Sequence, residues 1–190
     1  MGNTLSELIQ FRSDSMSLKG GPTQDEVMAI SLFKLQIHDG DVMADVGCGT
    51  GKISIHAASR CRHVFTIDWR ADAIAYAKQE IETAKRDNIT LIHEDAVHAL
   101  DEINALDCAF VGGSGNIETV LEKLNDKVHG RIVVNAVLLD TVSRTVKKMK
   151  ELDIFIEVIH VQVSRSYELV DDLMFKPINP VFIIVGEVKK

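Results

Sequence analysis

The chain has 190 residues, of which 46% are apolar, and a formal net charge of −7. That length suits one core and a single domain over residues 1 to 190; the acidity argues against a nucleic-acid groove, which draws on clustered Lys and Arg; and no apolar run reaches the roughly 18 residues needed to cross a bilayer. Three cysteines and seven histidines, none in CxxC, HxH or HExxH spacing, encode neither a disulfide framework nor a metal site.

The opening stretch "MGNTLSELIQFRSD" lacks the apolar core of a signal peptide, so a soluble cytoplasmic protein is expected. Residues 1 to 22 are polar and aperiodic and end in "KGGPT". They read as a flexible arm, whose last residues either fold over a ligand or simply fray. "TQDE" then offers a capping box, with Thr23 as N-cap and Glu26 three residues on, opening an apolar-rich helix through Leu35.

From there apolar strand-like runs alternate with helical stretches. "VMADV" precedes "GKISIHAASR", "HVFTID" precedes "RADAIAYAKQEIETAKR", and "ITLIHE" precedes "VHALDEI". "DCAFVG" and "RIVVNAV" follow, each with its own amphipathic helix. Such alternation means parallel strands with helical crossovers. The ending breaks the rhythm: "IFIEVIHVQVS" and "PVFIIVGEV" are both strand-like, joined by a connector too irregular for a helix, and are most simply antiparallel. The expected fold is α/β, a doubly wound, mostly parallel seven-stranded sheet with one antiparallel strand near the C-terminus.

In such a sheet the ligand sits outside the carboxyl ends of the strands, near the switch point. The first strand-to-helix turn, "MADVGCGTGKIS", carries Gly47, Gly49 and Gly51, with Cys48 and Thr50 between them. Glycines there admit positive φ and a close backbone approach, and the helix that follows favours an anionic group. The dinucleotide fingerprint G-x-G-x-x-G would place its third glycine where Lys52 stands, and the Walker pattern needs a four-residue spacer that is missing, so NAD and ATP are disfavoured.

Asp68 closes the second strand, where a carboxylate either caps a helix or accepts both hydroxyls of a ribose. Asp95 and Ala96 close the third, where a carboxylate and a backbone N–H either begin a helix or match the edge of adenine. Taken together, the three strand ends describe an adenosine bearing a small zwitterion. Asp45 with "VGCGTG", Asp68 and "EDA" resemble the class I, Rossmann-like methyltransferases that use S-adenosyl-L-methionine as methyl donor.

After the fourth strand stands "VGGSG", and not the Asn/Asp-Pro-Pro-Tyr of nucleobase amino-methyltransferases. "GGPTQDEV", "ADVGCGTG", "FVGGSG", "NAVLLDT" and "NPV" at Asn179 to Val181 resemble, in order, the cobalamin-pathway family known as CbiT. That resemblance implies methylation of C15 of cobalt-precorrin-6B with loss of the C12 acetate carboxyl, and a homotetramer. It also implies S-adenosylmethionine contacts at Thr23, Gly47, Cys48, Gly49, Thr50, Gly51, Asp68 and Ala96, with Gly112 to Gly115 lining the acceptor side.

The sequence departs from the family pattern at "FKPINPV", which carries Lys176 and an extra proline. A tetrapyrrole acceptor rich in carboxylates needs local cations on an acidic protein, and Arg144, Arg165 and Lys176 are the candidates. No histidine or carboxylate has a partnered spacing that singles it out as a catalytic acid or base. Two alternatives stay open: a class I methyltransferase acting on another small molecule, a protein carboxylate or RNA, and a nucleotide-sensing protein without chemistry.

Overall fold

A computed structural model describes residues 23–113 and 115–189; the arm expected over residues 1–22 lies outside them. The first helix among the described residues, α1 (Asp25–Leu35), buries Val27, Met28 and Leu35. Its N-cap is Gln24, with no side-chain capping bond, and not Thr23. The capping box fails because Glu26 is engaged elsewhere, accepting from Arg165 Nη2 at 2.7 Å.

The β-α alternation then runs as the apolar periodicity predicts: β1 (Val42–Val46), α2 (Lys52–Ala57), β2 (His63–Asp68), α3 (Ala71–Ala84), β3 (Ile89–His93), α4 (Ala96–Asp101), β4 (Cys108–Val111), α5 (Ile117–Lys127), β5 (Arg131–Ala136) and α6 (Leu139–Glu151). β6 (Phe155–Val161) and β9 (Val181–Glu187) close the sheet, and β7 (Ser164–Leu169) and β8 (Asp172–Pro177) lie between them.

The seven strands are ordered β3-β2-β1-β4-β5-β9-β6, with β9 antiparallel to both its neighbours. The central strands are buried on both faces, β4 at every position, and accordingly read as unbroken apolar runs. One face is packed by Val27, Met28 and Leu35 of α1 with Ile53 and Ala57 of α2. Leu100 of α4, Leu121 and Leu124 of α5 and Met149 of α6 pack the other. Buried Ser31 on α1 donates to Asn135 Oδ1 of β5 at 3.1 Å, a polar tie that accounts for the asparagine of "NAVLLDT".

The connector expected to be irregular is instead an antiparallel hairpin, β7–β8, paired from Ser164↔Pro177 to Leu169↔Asp172. All of its strand residues are exposed. Because β6 runs antiparallel to β9, as β5 does, the hairpin leaves the sheet at the carboxyl ends of the parallel strands. Arg165 at its root reaches Glu26 on α1.

Candidate functional site

The chain crosses from one side of β1 to the other after α4, so β1 and β4 flank the switch point where a doubly wound sheet opens a crevice. The turn after β1 is pinned to the next strand: Gly47 and Cys48 donate their N–H groups to Ile67 carbonyl oxygen at 2.8 and 3.0 Å. Gly47 and Gly51 have φ of 72° and 73°, the left-handed region open to glycine.

Close packing explains two of the glycines further. A Cβ at Gly47 would stand 2.3 Å from the carbonyl oxygen of Gly113, and one at Gly112 would stand 2.9 Å from that of Gly47. The turn after β4 therefore buttresses the turn after β1, and Gly112 and Gly113 of "VGGSG" are part of the same wall; Ser114 lies outside the described residues. A Cβ at Gly51 would stand 3.2 Å from Ala77 Cβ on α3. Gly51 thus serves the helix packing that the third fingerprint glycine serves in dinucleotide folds, one residue early.

Lys52, which occupies the fingerprint position, has another use. Its Nζ donates to Thr23 carbonyl oxygen at 3.0 Å and to Asp25 Oδ1 at 2.5 Å. This brings Thr23, through its backbone, to the glycine turn.

Beneath the turn, Asp45 is wholly buried. Its Oδ2 accepts from the Ser54 N–H at 3.1 Å and from Ser54 Oγ at 2.5 Å, and Thr66 donates to Ser54 in turn. Oδ1 has no partner. Burial pushes the carboxyl up to about 7, against the lowering effect of the Ser54 bonds. Cys48 is buried beside it, and burial with the neighbouring Asp45 and Asp68 charges raises its thiol well above the ordinary range, so it is an inert lining group and not a nucleophile.

At the end of β2, Asp68 accepts four hydrogen bonds: Arg70 N–H at 3.0 Å and Arg70 Nε at 3.1 Å on Oδ1, and Gly49 N–H at 3.0 Å and Arg70 Nη2 at 3.0 Å on Oδ2. Burial raises its pKa, but the bonds from Arg70 and Gly49 outweigh it and hold the carboxyl below its usual value. Asp68 is not a helix cap; Arg70 stands at the N-cap of α3 and makes no side-chain capping bond there. Trp69, the single tryptophan, follows it with 70% of its surface exposed. At the end of β3, Asp95 does cap α4, its Oδ1 accepting from the Val97 N–H at 2.9 Å, and Ala96 is the first residue of that helix.

Of the three cations expected to meet an acceptor, two are committed within the chain. Arg144 grips Glu118 through Nε at 2.6 Å and Nη2 at 2.5 Å and reaches Gly115 carbonyl oxygen at 3.5 Å. Hydrogen bonding to Arg144 holds the Glu118 carboxyl at about 2. Arg165 is paired with Glu26, and Lys176 faces Arg165 across the hairpin. Arg144 thus steadies the loop after β4. At the end of β5, Val137, Leu138 and Leu139 are all more than half exposed.

Sequence reasoning missed Arg70, Lys52 and the Gly47–Gly113 contact. A cation two residues past a strand-end aspartate was the visible signal for the first; the other two join segments far apart in the chain. Among the described residues no group of three or more His, Cys, Asp or Glu is placed to hold a metal, and no helix is long and apolar enough to cross a membrane.

A family model described as a precorrin methyltransferase domain matches residues 14–187. A probable cobalt-precorrin-6B C(15)-methyltransferase (decarboxylating) of Methanosarcina mazei is 47% identical over 180 residues, covering 92% of this chain and 98% of the relative. The crystal structure of precorrin-8w decarboxylase from Methanobacterium thermoautotrophicum is similar at a TM-score of 0.86 and 32% identity, covering 90% of this chain and 95% of that one. That of precorrin-6y C5,15-methyltransferase from Geobacter metallireducens matches at a TM-score of 0.86 and 30% identity, covering 90% and 94%.

Proposed function

The chain belongs to the precorrin methyltransferase family, and from that premise we propose that it methylates C15 of cobalt-precorrin-6B and removes the C12 acetate carboxyl, giving cobalt-precorrin-8. The observation that carries this reading is the crevice wall made by the turns after β1 and β4, where backbone approaches so closely that side chains are excluded at Gly47 and Gly112.

The residues fit S-adenosyl-L-methionine as the methyl donor. The cradle of Gly47, Cys48, Gly49, Thr50 and Gly51 suits its methionine end, with Thr23 held nearby by Lys52 and the unpartnered Oδ1 of Asp45 below. Asp68 suits the ribose, and Asp95 and Ala96 suit the adenine. When bound, the cofactor supplies a methyl group already activated on a sulfonium, so no strong base is required. The chain's part is alignment, and holding reactants in line lowers barriers by roughly 7–11 kcal/mol in favourable cases.

On the acceptor side, Val137, Leu138 and Leu139 offer an apolar rim at the carboxyl end of β5, suited to the face of a macrocycle. The conjugated acceptor is its own electron sink for the pair released as carbon dioxide leaves, much as a cofactor would be. The protein works as one domain in the cytoplasm, without nucleic-acid or membrane partners, as a homotetramer. Exposed Val170, Leu173 and Phe175 on the hairpin support self-association, since monomers seldom leave such clusters uncovered.

Thermal unfolding with S-adenosylmethionine, S-adenosylhomocysteine and NAD tests the cofactor assignment, because a ligand of the native state raises apparent stability. The first two are expected to stabilise; stabilisation by NAD alone contradicts the assignment.

A further inference from the structure

The four hydrogen bonds on Asp68 fill the lone-pair positions of a carboxylate. Two come from backbone N–H groups, of Gly49 and Arg70, and are fixed by the fold. The other two come from the Arg70 guanidinium, which places Nε on Oδ1 and Nη2 on Oδ2. A ribose cis-diol makes the same demand, one donated hydrogen bond on each oxygen. The fork also covers its target: the Asp68 side chain is 1% exposed and that of Arg70 26%.

Resting on the assignment of Asp68 to the ribose, we propose that Arg70 is a displaceable stand-in for the diol. Cofactor binding moves its guanidinium off Asp68, and the released cation then meets a carboxylate of the acceptor. Arg70 is therefore a positioning and specificity residue, and the cofactor binds first.

Two further observations favour this. Arg70 stands at the start of α3, immediately beyond the carboxyl end of β2, and its Nη2 lies 3.9 Å from where a Cβ on Gly49 would be, over the glycine turn itself. Among the described residues, three other cations near this edge have acidic partners, Lys52 with Asp25, Arg144 with Glu118 and Arg165 with Glu26, while Lys176 stands out on the exposed hairpin. An acidic protein that receives a polycarboxylate needs a cation there, and exchanging Asp68 for the diol provides one only after the cofactor has arrived.

Calorimetric titration of S-adenosylhomocysteine into the wild type and Arg70→Ala, with steady-state kinetics on the acceptor, tests the proposal. Removing the competitor is expected to tighten S-adenosylhomocysteine binding on the order of tenfold, about 1.4 kcal/mol, and to raise the acceptor KM with kcat little changed. Arg70→Lys, which keeps the charge but cannot span both oxygens, is expected to bind S-adenosylhomocysteine more tightly while holding the acceptor KM near the wild-type value. If neither variant, natively folded by its melting temperature, binds S-adenosylhomocysteine more tightly than the wild type, the stand-in role is overturned. Asp68→Ala tests the underlying assignment separately: undiminished binding there removes the ribose reading itself, whatever Arg70 does.

Discussion

Gly47 and Gly113 meet backbone to backbone, so that a Cβ on Gly47 would lie 2.3 Å from the Gly113 oxygen and 2.9 Å from its nitrogen. The contact is one-sided, since a Cβ on Gly113 would meet nothing within 4 Å. Gly47→Ala is therefore expected to cost about 2 to 5 kcal/mol, from overpacking and a left-handed φ together, and to abolish S-adenosylhomocysteine binding. Gly113→Ala is expected to keep near wild-type stability. Chemical denaturation and calorimetry on the pair check both; equal destabilisation would disprove the asymmetry.

Lys52 ties Thr23 and Asp25 to the glycine turn. Replacing it by methionine keeps the aliphatic stem and removes the tether. Being half-exposed, the ion pair contributes under about 1 kcal/mol, so the melting temperature should hardly move while S-adenosylmethionine affinity falls several-fold. A variant that binds as tightly as the wild type would free Thr23 from any part in the site.

Asp45 carries a pH dependence whose sign follows from its raised carboxyl, about 7 in the folded protein, against about 3.9 in an unfolded chain. The folded state holds the proton more tightly, so this group stabilises the fold fully below the unfolded value. That contribution is lost as pH rises through about 7. Asp45→Asn keeps an acceptor for Ser54 without a buried charge. Its stability relative to wild type should therefore grow from pH 5 to pH 8, as read by urea melts; a flat difference would show that the carboxyl is ionised throughout.

Phe175, two-thirds exposed on β8, is expected to lie in a contact between copies of the chain. Phe175→Glu should lower the mass in light scattering to that of a smaller species and leave the far-ultraviolet circular dichroism unchanged. An unaltered mass would take the hairpin out of the assembly.

The parallel part of the sheet was legible because its central strands are buried on both faces and its helices on one, and both patterns are written in local apolar spacing. The hairpin was not. "SRSYELVDDLMFKP" has no buried face to impose alternation, and its turn places Val170 and Asp171 at φ of 47° and 62° without glycine or asparagine to announce it. The N-cap was misplaced for a different reason: Glu26 is drawn to Arg165, a partner 139 residues along the chain. In the site, Gly47, Gly49, Gly51 and Asp68 were visible as types at strand ends, whereas the support from Gly112 and Gly113 and the fork of Arg70 depend on which loops the topology brings together.

The most direct measurement is incubation of the purified protein with S-adenosylmethionine and cobalt-precorrin-6B, followed by mass spectrometry of the tetrapyrrole. One added methyl group together with the loss of one carbon dioxide is the predicted product. A tetrapyrrole recovered unchanged, from protein that demonstrably binds S-adenosylhomocysteine, would contradict the assigned reaction.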